Sequence, residues 1–374
     1  MTQNRDTISH FKTWAKMIRF SLRALFVLLL LCSFICAIYV WARRQQERVD
    51  LACEELYSRN FTIDRLDGGS FRIGLLRGWT WDRKARAALL ELGDIHTLSI
   101  SGPLISDSGR HLLSLPGLRC FEMQYGHLSS AEWETLTSKA RWVEDIQITS
   151  STLPLDRLDL LANMPRLRRL RLDFEQAGDE IPSHLPPVLE IHTIGPLNEL
   201  DARYNGALHV HSMPHVRAMD LSYGPRIVSD DNRNHFRVST CPRLSRLRVR
   251  HPHSLTGIAV QPSLAELDIV YGPIHQADVH HLTGFGSLRS LSFEDNWLTP
   301  EAVQSLTKLQ YLEELTLVNI SIERPDVATV EEVEQDPNNN DLRQIASVAR
   351  HCGRLHTLRL DRMEISSPDA LDHL

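Results

Sequence analysis

One pattern constrains this chain more than any other: an apolar residue followed by two more at the third and fifth positions beyond it. It reads Ile95/Leu98/Ile100, Leu118/Phe121/Met123, Val143/Ile146/Ile148, Leu167/Leu170/Leu172, Val216/Met219/Leu221, Leu244/Leu247/Val249, Leu264/Leu267/Ile269, Leu288/Leu291/Phe293, Leu312/Leu315/Leu317 and Leu355/Leu358/Leu360. A weaker unit, Val188/Ile191/Thr193, fills the gap between Leu167 and Val216, and all intervals but the last span 20 to 28 residues. So short a unit has no core of its own. It must bury its apolar face against its neighbours, which makes the chain a solenoid. The long last interval holds the acidic stretch 323–341, read as a surface insertion within one repeat. Closure entropy grows only with the logarithm of loop length, so a solenoid tolerates it.

The stretch Leu288-Arg-Ser-Leu291-Ser-Phe293-Glu-Asp-Asn296 resembles the L-x-x-L-x-L-x-x-N unit of the leucine-rich-repeat superfamily. Cys241-Pro-Arg-Leu244 is similar to the irregular, cysteine-containing and ribonuclease-inhibitor-like subtypes. The resemblance covers residues 95–374 and implies an α/β solenoid: a horseshoe with a concave parallel sheet and convex short helices or turns, about 11 repeats long. Where the family places asparagine, this chain mostly has Gly126, Gly224 and Gly272, each directly after a tyrosine. These strands are expected to end in sharp turns. Thr299-Pro300, at a cap and the first helical position, predicts a short return helix, and Ser367-Pro368 repeats the device.

Ahead of the repeats, Ala24 to Trp41 runs without a charge. At about 1.5 Å per residue it covers roughly 27 Å, nearly the hydrocarbon thickness of a bilayer. Residues 20–41 are read as one transmembrane signal anchor, since the run is longer than a cleaved signal's core and no small-x-small cleavage site follows. Arg5, Lys12, Lys16, Arg19 and Arg23 precede the uncharged run, and Arg43, Arg44 and Arg48 follow. The positive-inside bias then puts the tail 1–19 in the cytoplasm and the C-terminal portion outside it. Residues 42–94 are assigned as a juxtamembrane segment and N-terminal cap over the first apolar layer.

Side chains that alternate with the apolar triplet project from the open face of the sheet. Those positions are Asp145, Gln147, Arg169, Arg171, Glu190, His192, Asp220, Arg246, Arg248, Arg250, Glu266, Asp268, Glu294, Glu314, Thr316 and Arg359. Neighbouring strands lie about 4.8 Å apart, so Arg169 is expected between Asp145 and Glu190, Arg248 between Asp220 and Asp268, and Arg246 beside Glu266. Arg171 and Arg250 are left without such partners, which makes them the first choices to grip an acidic protein. Arg169, Arg246, Arg248, Asp268 and Glu294 complete the candidate binding set.

With 41 basic and 47 acidic residues the formal net charge is −6, against a surface built to neutralise phosphates, so no nucleic-acid partner is expected. His209, His211 and His215, and His251 with His253, suggest metal ligation, but no Asp, Glu or Cys stands at a familiar ligand spacing, and no metal or cofactor is expected. Cys53, Cys120, Cys241 and Cys352 form no CxxC pair, and their spacing leaves any disulfide pairing open. No GxSxG elbow, HExxH or Walker loop is present. The sequence therefore reads as a membrane-anchored, non-enzymatic module binding a protein outside the cytoplasm. The alternatives are a self-associating envelope scaffold and, in another class, an envelope-polymer hydrolase with no recognisable motif.

Overall fold

The computed structural model describes residues 22–67, 69–76, 82–102, 112, 115, 117–151, 153–174, 188–192, 194–204, 206–223, 236–322 and 345–362. The tail 1–19, the acidic insertion 323–341 and the Ser367-Pro368 cap lie outside the described residues. The chain forms two compact units, residues 1–60 with 80–93, and residues 61–79 with 94–374.

In the first unit, helix α1 (Leu22–Tyr57) packs on helix α2 (Arg83–Leu92). The apolar stretch of α1 is long and apolar enough to cross a membrane and is exposed along its length. Asp82 caps α2 by accepting from the Ala85 amide and also binds Arg59, whose guanidinium reaches back to Glu55.

In the second unit a hairpin opens the chain, β1 (Phe61–Arg65) antiparallel to β2 (Phe71–Leu75). Parallel strands then follow one per repeat: β3 (Ile95–Ser101), β4 (Cys120–Gln124), β5 (Asp145–Thr149) and β6 (Arg169–Asp173). From here strands alternate between two sheets. β7 (Val188–Ile191), β9 (Ala207–Val210) and β11 (Phe236–Val238) form a second, three-stranded sheet, while β8 (Glu199–Tyr204), β10 (Ala218–Tyr223) and β12 (Arg246–Arg250) continue the first. β13 (Glu266–Ile274), β14 (Ser290–Leu298), β15 (Glu314–Val318) and β17 (Thr357–Asp361) complete the main sheet, with β16 (Ser321–Ile322) beside β14.

The register is the one the apolar triplets require. Leu98, Phe121, Ile146, Leu170, Leu200, Met219, Leu247, Leu267, Leu291, Leu315 and Leu358 pair strand to strand in a single row. A parallel row two residues on runs from Ile100 through Phe293 to Leu360. From Leu98 to Leu315 the first row is buried, whereas Leu358 on the last described strand is only half-buried. Parallel strands stacked so closely leave only enough chain for a short return, as with the ten-residue helix α3 (Ser130–Lys139), closed at its start by a Ser129–Glu132 capping box. Later return helices include α4 (Gln276–Leu282) and α5 (Pro300–Leu306), the second capped by Thr299 accepting from the Ala302 amide as its sequence foretold.

One sequence unit is displaced. Val188/Ile191/Thr193 does not supply a strand of the main sheet: Val188–Ile191 lies in the second sheet, and Leu197/Leu200/Ala202 takes the rung. All three are buried. Alanine at the third position weakens the triplet, while the β-branched run at Val188 mimics one.

Strand ends explain the missing asparagines. Tyr125, Ser150, His251, Tyr271, Asp295, Asn319 and Arg362 all stand at the same place in their repeats with φ between 47° and 56°. At the next position a side chain on Gly272 would come within 2.6 Å of the Pro252 carbonyl, and one on Gly126 within 2.8 Å of the Gly102 carbonyl. The turns stack too closely there for most residues. Asn296 fits because it is buried and donates to the Gly272 carbonyl at 3.0 Å, and Ser151 accepts from the Gly126 amide at 3.0 Å.

Candidate functional site

The alternating positions of β5, β6, β8, β10, β12 and β13 line a groove of about 670 Å³ on the open face of the main sheet. Because the strands are parallel and in register, its walls are rows of equivalent residues. One row runs Gln147, Arg171, Asp201, Asp220, Arg248, Asp268, and the row before it Asp145, Arg169, Glu199, Ala218, Arg246, Glu266.

Most charges in these rows answer one another. Arg169 lies 3.3 Å from Asp145, Arg171 2.7 Å from Asp201, Arg246 2.5 Å from Glu266, and Arg248 3.3 Å from Glu294. Arg250 grips Asp220 with two nitrogens, at 2.9 and 3.3 Å, and both side chains are partly buried. Exposed pairs such as Arg246–Glu266 contribute little, about 0.2–1 kcal/mol each. The Arg250–Asp220 fork is the better-formed contact.

The middle of the row is less well matched. Asp201 and Asp220 are direct cross-strand partners, two carboxylates with no cation between them. Burial, followed by the charge of Asp220, pushes the Asp201 carboxyl above its usual range despite Arg171 and Arg203 nearby. Burial likewise raises Asp268, with Arg248 opposing the shift and Glu266 adding to it. Oδ1 of Asp201 and Nε of Arg248 are buried and make no hydrogen bond. Such orphaned groups are costly in a folded chain and become useful when a ligand satisfies them.

No protein-family model matches the sequence, and no curated protein does. Among solved structures, an internalin (InlF) from Listeria monocytogenes is 13% identical over 82% of this chain and 84% of its own, with a TM-score of 0.40. The TLR13–ssRNA13 complex is 16% identical over 72% of this chain and 36% of that one, at 0.43. The Toll–Spatzle complex of Drosophila is 12% identical over 83% of this chain and 57% of that one, at 0.22. These likenesses are distant, and it is the rung-by-rung register of the apolar triplets that defines the architecture. The fold is a leucine-rich-repeat solenoid.

Of the candidate residues, Arg169, Arg171, Arg246, Arg248 and Asp268 line the groove together, while Arg250 and Glu294 stand on the same sheet, ion-paired to Asp220 and Arg248. Arg171 and Arg250 are not the unpartnered cations expected. The rung at Leu197 brings Asp201 beside Arg171, and Arg250 reaches diagonally across to Asp220. For the same reason Arg169 stands between Asp145 and Glu199 rather than Glu190. Arg248 does lie between Asp220 and Asp268. Sequence reasoning missed Glu199, Asp201 and Arg203, which were legible only through the alternation around Leu200 and Ala202.

Glu190 and His192 belong with the second sheet, where they meet His209 and His211. Burial first, then Arg237, holds the His209 imidazole below its ordinary value. No disulfide joins any two of the cysteines. Burial raises the thiols of Cys241 and Cys352, and pushes Cys120, with Asp145 and Glu122 adding to it, up to about 12.

Proposed function

We propose that this protein holds a partner protein in the groove over β5–β13, tethered to a membrane by α1 with the solenoid outside the cytoplasm. The observation that carries this reading is the pair of buried, unbonded groups on the groove floor, Oδ1 of Asp201 and Nε of Arg248. Both residues line the groove, where a docked partner supplies the missing bonds. The crowding of Asp201 against Asp220 and the burial of Asp268 favour a basic segment over an acidic one, because a guanidinium or ammonium arriving there relieves carboxylate repulsion. Binding proceeds by shape and charge with no bond chemistry, and nucleic acid, a chain of phosphates, is disfavoured at the same carboxylates.

The orientation rests on the basic excess before the apolar helix, and the cap reading on the β1–β2 hairpin at the first edge of the sheet. A second reading, self-association into a scaffold, draws support from the half-buried Leu358 and Leu360 on the last described strand.

A photo-crosslinking residue at position 147, on the groove wall, separates these readings in intact cells. The binding reading expects a crosslinked partner that disappears when Asp201 and Asp268 are both changed to arginine and is absent when the probe stands at position 308. Crosslinks to a second copy of this chain, or a partner indifferent to the charge reversal, would refute it. Protease added outside intact cells should remove the solenoid if the proposed topology is right.

A further inference from the structure

We propose that Glu190, His192 and His211 form a binding site for a divalent transition-metal ion, zinc in particular, on the second sheet. Among the described residues this is the one place where three such ligands bring their atoms within 4.8 Å of one another. The fold builds it simply. Glu190 and His192 are two residues apart at β7, so both project from one face, and the parallel register pairs Glu190 with His209 and carries His211 alongside His192.

The atoms converge on one oxygen. Nε2 of His192 lies 3.7 Å and Nε2 of His211 3.9 Å from Oε2 of Glu190. Ligands bound tetrahedrally to zinc at 2.0–2.1 Å stand about 3.3 Å apart, so each nitrogen must approach the carboxylate by about half an ångström to close the site. The two imidazoles stack, with centroids 4.5 Å apart and planes 23° from parallel, so the rings must turn toward one another before both nitrogens take the same ion. Oε1 of Glu190 faces Nδ1 of His209 at 3.8 Å, a contact that orients the carboxylate from behind.

A second observation points to a ligand. Nε2 of His211 is buried and makes no hydrogen bond, although the rest of that side chain is partly exposed. A metal ion would satisfy it. Arg237 stands in register with His209, two residues before the ligating His211. Glu190 and His192 also line a groove of about 650 Å³, whose wall holds Asp156 and Asp159 as well. The fourth coordination position is left for water or a donor from outside, so the site is of the open kind.

The test is zinc titration of the full chain in detergent, previously stripped with a chelator, using competition against a chromophoric indicator. One equivalent is expected, with binding weakened at least tenfold in each of Glu190→Gln, His192→Ala and His211→Ala and unchanged in His215→Ala. Circular dichroism of each variant confirms folding, and cobalt(II) titration of the unaltered chain gives a readout that needs no variant. Cobalt in a nitrogen and oxygen site shows ligand-field bands without a thiolate charge-transfer band. Absence of saturable zinc binding, affinity unchanged in all three variants, or a thiolate band placing the metal on cysteine would each overturn the proposal.

Discussion

Replacing Leu247 by alanine tests the central physical claim, that each rung is buried by the next. Leu247 has no exposed surface and sits on β12 between Met219 of β10 and Leu267 of β13. Three side-chain carbons are lost, and at about 0.8 kcal/mol for each buried methylene the transfer loss is about 2.4 kcal/mol. The remaining cavity brings the total to about 3–5 kcal/mol. Leu358 occupies the equivalent place on β17 but is only half-buried, so its replacement forfeits roughly half the transfer energy, about 1 kcal/mol, and encloses no cavity. Urea unfolding of the full chain in detergent, followed by circular dichroism, measures both. Solenoids can open locally, so hydrogen exchange of peptides from β10 to β13 should show lost protection around Leu247 first. A cost below about 1 kcal/mol for Leu247→Ala, or equal costs at the two sites, would refute stacked burial as the source of stability.

Two further outcomes follow from the groove and the turns. Asp201 and Asp268 are held above the usual carboxylate range, so the unfolded chain releases these protons first, and stability falls as pH rises from the unfolded value, about 4, through the raised folded one. Relative to wild type, Asp201→Asn and Asp268→Asn should therefore gain stability between pH 4 and pH 7 in urea unfolding; a difference independent of pH would contradict the assignment. Asn296→Ala should cost about 1 kcal/mol in the same assay, at the low end for a buried hydrogen bond, because the loss of the Gly272 contact is offset by removal of the unbonded Oδ1.

The repeat was legible because leucine, isoleucine and phenylalanine at fixed spacing leave no other way to hide their surface. The face was legible where the triplets were strong: Arg246 beside Glu266 and Arg248 between Asp220 and Asp268 need only the alternation of a strand. Where Ala202 dilutes the triplet, the alternation around it was overlooked, and with it Asp201, the residue that changes the meaning of Arg171. The second sheet left a signal too, in Leu208/Val210 and Phe236/Val238 alternating with His209 and Arg237. That signal competes with turns in return segments so short that either structure fits them.

The histidine cluster marks where sequence spacing stops being informative. Glu190 and His192 share a strand end, but His211 joins them only because an entire turn of the solenoid lies between β7 and β9. Ligand spacings familiar from single loops or helices cannot register such a site, since the separation is set by the length of a repeat and not by the geometry of the metal. The same holds for the groove: Asp145 and Asp268 face one cavity across strands β5 to β13, and each is placed there by the rungs between them. In a solenoid the repeat length converts distance along the chain into adjacency in space, so a single misassigned rung moves every charge pairing that depends on it. Asp201 shows the size of that effect, turning the apparently available Arg171 into one member of an ion pair and bringing a second carboxylate against Asp220.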